Sequence, residues 1–112
     1  MQVETVNDIR VLTPQERQID ITNSVSFGTD LSEAIAGQGK YILDLKNVSF
    51  LDSSALGKIV SVLRKLNETK GKLVICGMNE AVELLFRMVR LSQIAVLVKD
   101  RSAALAEFGI TS

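Results

Sequence analysis

The segment Tyr41-Ile-Leu-Asp-Leu-Lys-Asn-Val-Ser-Phe-Leu-Asp-Ser-Ser-Ala-Leu-Gly57 constrains the fold of this chain more than any other. Tyr41 to Leu45 is a short apolar run suited to a buried strand. Ala55, Leu56, Ile59, Val60, Leu63 and Leu66 then trace one face of a helix that ends near Lys70-Gly71. The loop between them closes on Asp52-Ser53-Ser54, so hydroxyls sit where a helix exposes unpaired backbone N–H groups and the positive end of its dipole. A phosphate on Ser53 is tolerable there, which gives the loop the chemistry of a charge-controlled switch.

The flanking sequence repeats this alternation of strand and helix. Gln2 to Thr5 and Ile9 to Leu12 around Asn7-Asp8 predict an N-terminal hairpin, which Pro14 and the polar run Gln15 to Gln18 interrupt. Ile19-Asp20-Ile21 reads as a short extended piece. From about Asn23, Val25, Leu31, Ala34 and Ile35 give an imperfect helical stripe, weakened at Gly28 and stopped at Gly37. Lys72 to Cys76 predicts a strand, and Asn79 caps a helix whose apolar residues are Val82, Leu85, Phe86 and Val89. Ile94 to Val98 predicts the last strand, and Arg101 to Phe108 a closing helix stopped by Gly109. The pattern predicts one α/β domain over residues 1–112. Its expected sheet is mixed, mostly parallel and four- to five-stranded, with about four flanking helices.

Composition narrows the function. The 112 residues, 46% of them hydrophobic, can build a core without a disulfide or metal, and the one cysteine, Cys76, reads as a buried, inert thiol. Thirteen basic and thirteen acidic residues balance to zero, so broad attraction to nucleic acid or anionic membrane is not indicated. No run of 18 apolar residues and no signal-peptide pattern occurs, and a cytoplasmic protein is expected. The chain has no histidine, which removes histidine-based acid–base catalysis and phosphotransfer. Ser53 therefore lacks the usual base of a serine nucleophile, and Gly37-Gln-Gly39 precedes a strand, the wrong context for a dinucleotide loop. Asp44, Asp52, Asp20 and Glu16 are too scattered for a metal cluster. No enzymatic activity and no cofactor are expected.

Each residue around the loop has two readings. Asp52, Ser53 or Ser54 can simply cap the helix, or Ser53 can accept phosphate, with Lys58 and the helix N-terminus offsetting repulsion from Asp52. Gly57 costs the helix up to about 1 kcal/mol relative to alanine. Its reason is either close helix–sheet packing or a shallow spot where a partner approaches. Phe50 and Leu51 read as core anchors for the loop, and Met78, Met88 and Leu84-Leu85-Phe86 also read as core. Asp44 needs partners if it is buried, and it can brace the Ser53 turn. Arg64, Lys65 and Glu68 read as a solvated helix face.

Leu43-Asp-Leu-Lys-Asn-Val-Ser-Phe-Leu-Asp-Ser-Ser-Ala-Leu-Gly57 resembles the signature of STAS domains, specifically the stand-alone bacterial anti-sigma factor antagonists. The pattern is an apolar strand containing Asp, then V-x-[aromatic or M]-[apolar]-D-S-[ST]-[AG]-L-G. Gly71 to Gly77, Ala81 to Phe86 and Phe108-Gly-Ile110 resemble the segments that follow it. The resemblance implies a protein-binding role without catalysis. The implied partner is an anti-sigma factor that is also a Mg-ATP-dependent serine kinase, and the implied phosphoacceptor is Ser53. A PP2C-type phosphatase would reverse the modification. The implied docking residues are Asp20, Asp52, Ser53, Ser54, Gly57 and Lys58. One segment departs from the pattern: Pro14 to Asp20 lacks the glycine of the family's G-x-[LI]-[DN] turn. The alternative within the family is a non-switching subunit of a lipid-transport ABC system or of a stressosome-like assembly.

Overall fold

A computed structural model of the chain describes residues 1–36 and 39–110. The hairpin forms as β1 (Gln2–Val6) and β2 (Ile9–Thr13), antiparallel. It turns at Asn7, whose φ of 56° lies in the left-handed region that asparagine tolerates. Then follow β3 (Gln18–Ile19), α1 (Ser24–Ala34), β4 (Lys40–Asp44), β5 (Phe50–Leu51) and α2 (Ser53–Glu68). The chain continues through β6 (Lys72–Cys76), α3 (Glu80–Met88), a 3₁₀ turn at Leu91–Gln93, β7 (Val96–Leu97) and α4 (Arg101–Glu107). The main sheet has the order β1-β2-β4-β6-β7, and every pairing after the hairpin is parallel. This is the expected mixed sheet with four helices.

Alternation along the strands sorts the core into two layers. Leu12, Leu43 and Ile75 point to one face, where they pack with Phe27 and Leu31 of α1, Ile59 and Leu63 of α2, and Val82 and Phe86 of α3. Val11, Ile42, Val74 and Cys76 point to the other, where α4 covers them with Ala104 and Leu105. Burial pushes the Cys76 thiol up to about 12, with the nearby Asp44 charge acting in the same direction.

The structure adds a feature that the sequence pattern did not predict. β3 and β5 pair in parallel as a separate two-stranded sheet, Gln18 opposite Phe50 and Ile19 opposite Leu51. Ile21 is outside it and 75% exposed, so the extended piece is shorter than expected. Phe50 is not a core anchor. The two-residue strand turns Leu51 inward and leaves Phe50 49% exposed. Leu84 and Met88 are likewise exposed, because α3 seats Val82 and Phe86 on the sheet and turns its far side to solvent. Val89 ends α3 exposed, and Val25 is exposed on α1. The last strand is reduced to Val96–Leu97, since the 3₁₀ turn takes up the chain before it and leaves Ile94 exposed. Gly37, the expected stop of α1, lies outside the described residues.

Gly28, the weak point of α1, has a packing reason. A Cβ there would lie 2.7 Å from Cδ of Lys58. The lysine stem crosses α1 there, so a larger residue at position 28 would force that stem to shift.

Candidate functional site

β4 delivers the chain to the carboxyl end of the parallel strands, and residues 45–52 carry it to α2. This loop is held on both sides. The backbone N–H groups of Ser49 and Phe50 donate to the Arg17 carbonyl, at 2.7 and 3.3 Å, and Asp52 N–H donates to Ile19 O at 3.1 Å. On the other side Asn79 caps α3 by accepting from Val82 N–H at 2.8 Å, while its Nδ2 donates to Ser49 O at 2.9 Å. The cap was legible in the sequence; the second contact was not, because it joins residues 30 positions apart.

Asp44, at the end of β4, is buried. Its Oδ1 accepts from Lys46 N–H at 3.1 Å and its Oδ2 lies 3.5 Å from Nε of Arg101. It therefore braces the start of the loop, not the serine turn. Arg101 also donates to Glu4 Oε1 at 2.9 Å, which fixes the first turn of α4 to β1 and β4.

At the mouth of α2 the three polar residues divide the work. Asp52 is the N-cap: its Oδ1 accepts from Ser54 N–H at 2.9 Å and from Ala55 N–H at 3.1 Å. Its Oδ2 accepts from Ile21 N–H at 3.1 Å, tying the turn between β3 and α1 to the start of α2. The Ser54 hydroxyl donates to Asp52 Oδ1. These contacts, the Ser54 hydroxyl foremost, hold the Asp52 carboxyl below its ordinary value of 3.8 against a smaller opposing effect of desolvation. Ser53 is exposed, and among the described residues its hydroxyl has no hydrogen-bond partner. The hydroxyl is thus available at the first position of a 16-residue helix whose cap is already supplied by its neighbour.

Ser53 stands between two grooves. One, of about 570 Å³, runs along the outer face of α2 past Gly57, Val60, Ser61 and Arg64 to Val89. The other, of about 280 Å³, lies between β5 and α3 and is lined by Phe50, Leu51, Ala81, Val82 and Leu85. Gly57, one turn beyond Ser53, is exposed, and a Cβ added to it would meet nothing within 4 Å. Close helix–sheet packing is therefore not its reason.

The other sequence-predicted residues lie around this centre unequally. Asp20 sits in the adjoining turn, where one of its carboxylate oxygens, Oδ1, accepts from the N–H (2.9 Å) and the hydroxyl of Thr22. Lys58 turns away toward α1 and lines a different groove, with Gly28, Thr29 and Glu33. Among the described residues, no three acidic or cysteine side chains converge to hold a metal ion, and no helix is long and apolar enough to cross a membrane.

Fold and loop together define an α/β domain with one unspent serine hydroxyl at a capped helix start. The chain belongs to the STAS domain family, whose family model matches residues 1–104. It is similar to the anti-sigma F factor antagonist of Paenibacillus polymyxa, 34% identical over 71 residues. That alignment covers 63% of this chain and 61% of the relative. A Thermotoga maritima protein described as an anti-sigma factor antagonist is 28% identical over 104 residues, 91% of each chain. The crystal structure of an anti-sigma factor antagonist from Thermotoga maritima superposes with a TM-score of 0.83 at 26% identity, covering 97% of this chain and 94% of that one. An anti-sigma factor antagonist from Mycobacterium paratuberculosis shares the fold, with a TM-score of 0.85 at 19% identity over 97% of this chain and 92% of that one.

Proposed function

We propose that this chain is an anti-sigma factor antagonist. In this reading it binds an anti-sigma factor that is also a serine kinase, and phosphorylation of Ser53 ends the binding. The observation that carries the reading is the free Ser53 hydroxyl beside a cap that Asp52 already provides. A serine needed for capping would lose its structural role on modification, whereas this one has none to lose.

Phosphate adds about −1.5 to −2 charges at neutral pH. The helix N–H groups that would best receive it, those of Ser54 and Ala55, are already bonded to an ionised Asp52. The phosphoryl group therefore gains little from the helix and stays on the surface, repelled by Asp52. A partner seated in the grooves beside Ser53 would have to desolvate that charge against Phe50, Leu56 and Val89. Docking is lost through repulsion and desolvation, with the fold unchanged. A PP2C-type phosphatase in the same cytoplasm would restore binding by removing the charge.

The test is incubation with the candidate kinase and Mg-ATP, with mass spectrometry to map the phosphate and calorimetry to measure binding. Phosphate on Ser53 and at least tenfold weaker binding of Ser53→Asp are expected, with Ser53→Ala still bound. No phosphate at Ser53 together with unchanged binding of Ser53→Asp would refute the switch and leave a non-switching STAS subunit as the reading.

A further inference from the structure

We propose that this chain self-associates through α3, two copies packing antiparallel about a two-fold axis at Leu84. The inference is independent of any role for Ser53.

Val82 and Phe86 bury one side of α3 against the sheet. The opposite side carries Leu84, 61% exposed, and Met88, 72% exposed, one turn apart. Ala81, three residues before Leu84, completes the stripe. Isolated exposed apolar residues need no explanation, but an unbroken stripe along one helix face marks a contact surface.

The residues around the stripe say what covers it. Glu80 and Arg87 stand seven residues, about two turns, apart on one flank of Leu84. Ala81 and Met88 stand two turns apart on the other. Both charge and size therefore change sense across Leu84: acidic and small before it, basic and large after it. A two-fold axis at Leu84 reverses the second helix and keeps like flanks together. It sets Ala81 against Met88 of the second copy, Glu80 against Arg87 of the second copy, and Leu84 against its own equivalent. A parallel two-fold arrangement would instead set the Glu80–Arg87 flank of each helix against the Ala81–Met88 flank of the other and leave both charges without a partner. Arg87 already bonds Glu83 at 2.9 Å through Nε, which leaves its terminal NH₂ groups for a second carboxylate. A nine-residue helix offers less than the ~1,200 Å² usual for a stable specific interface, so the pairing is weak and concentration-dependent.

Sedimentation velocity on the full chain, from roughly 10 µM to 1 mM, tests this. The wild type should pass from monomer to dimer within that range. Leu84→Glu, at an exposed position that leaves the circular dichroism spectrum unchanged, should weaken dimerisation at least about tenfold. Glu80→Arg and Arg87→Glu should each weaken it, and the double variant E80R/R87E, which restores the opposed charges between copies, should recover it. A wild type that stays monomeric at 1 mM, a Leu84→Glu chain that dimerises normally, or an E80R/R87E chain that stays as weak as the single variants would each overturn the proposal.

Discussion

Replacing Gly57 by alanine separates the two reasons for having a glycine on α2. Its added methyl would meet nothing from the rest of the protein within 4 Å, and Gly57 is not among the glycines with positive φ. The substitution therefore adds no clash and no strain. It removes backbone freedom from the unfolded chain and improves helix propensity, a gain of about 0.5–1 kcal/mol. With an unfolding entropy of ~2.1 cal/mol/K per residue over 112 residues, that gain raises the melting temperature by about 2–4 °C. Thermal unfolding followed by circular dichroism reads the shift, and urea titration reads the free energy directly. The same methyl stands in the groove one turn from Ser53, so calorimetry should show weaker binding of the anti-sigma factor by the more stable variant. A melting temperature that falls would show that Gly57 is packed after all. A stabilised variant with undiminished affinity would remove Gly57 from the docking surface.

Gly77 is the opposite case: it has a φ of 75°, and a Cβ there would lie 2.5 Å from Asp44 Oδ1 and 2.9 Å from Lys46 N. Strain and the disrupted Asp44–Lys46 bond together should cost Gly77→Ala about 2–4 kcal/mol in urea unfolding. The Asp52 carboxyl has a folded-state pKa below its ordinary 3.8, so its contribution to stability is present above that value and lost as pH falls through the lower, folded value. Wild type and Asp52→Asn should therefore converge in stability below pH 3.8, and a gap that persists at lower pH would contradict the assignment. Cys76, with its thiol pushed up to about 12 inside the sheet, should resist thiol reagents in the native protein at neutral pH and react on unfolding; fast native labelling would show that the α4 side opens.

What was legible in the sequence follows from the range of the forces involved. Period and length gave the hairpin, β4, β6 and the long α2, because each buries a regular stripe that local spacing displays. Asp52-Ser53-Ser54 was recognisable as a helix start, yet three capping-competent residues in a row do not say which one caps. Asp52 takes the cap through one oxygen and reaches Ile21 with the other, a contact across 31 positions that local spacing does not display. The pairing of β3 with β5 was invisible for a related reason: two residues are too few to show alternation, so Phe50 looked as apolar as Leu51 and only the pairing decides which points inward. On α3, Leu84 and Met88 looked like core because hydrophobicity alone does not report which side of a short helix meets the sheet. Gly28 and Gly57 are alike in sequence, each inside an apolar helix, and differ only in what stands opposite: the stem of Lys58 or open space.

The second oxygen of Asp52 has a practical consequence. Its bond to Ile21 N–H makes that amide a neighbour of the carboxylate that a charge on Ser53 disturbs first. The Ile21 amide proton is thus a built-in spectroscopic reporter. In a ¹⁵N-labelled sample its resonance should move when Ser53 gains a phosphate and return when the phosphate is removed. The proposed phosphorylation would then be readable in real time on the unaltered protein, with no probe attached to the surface a partner would use.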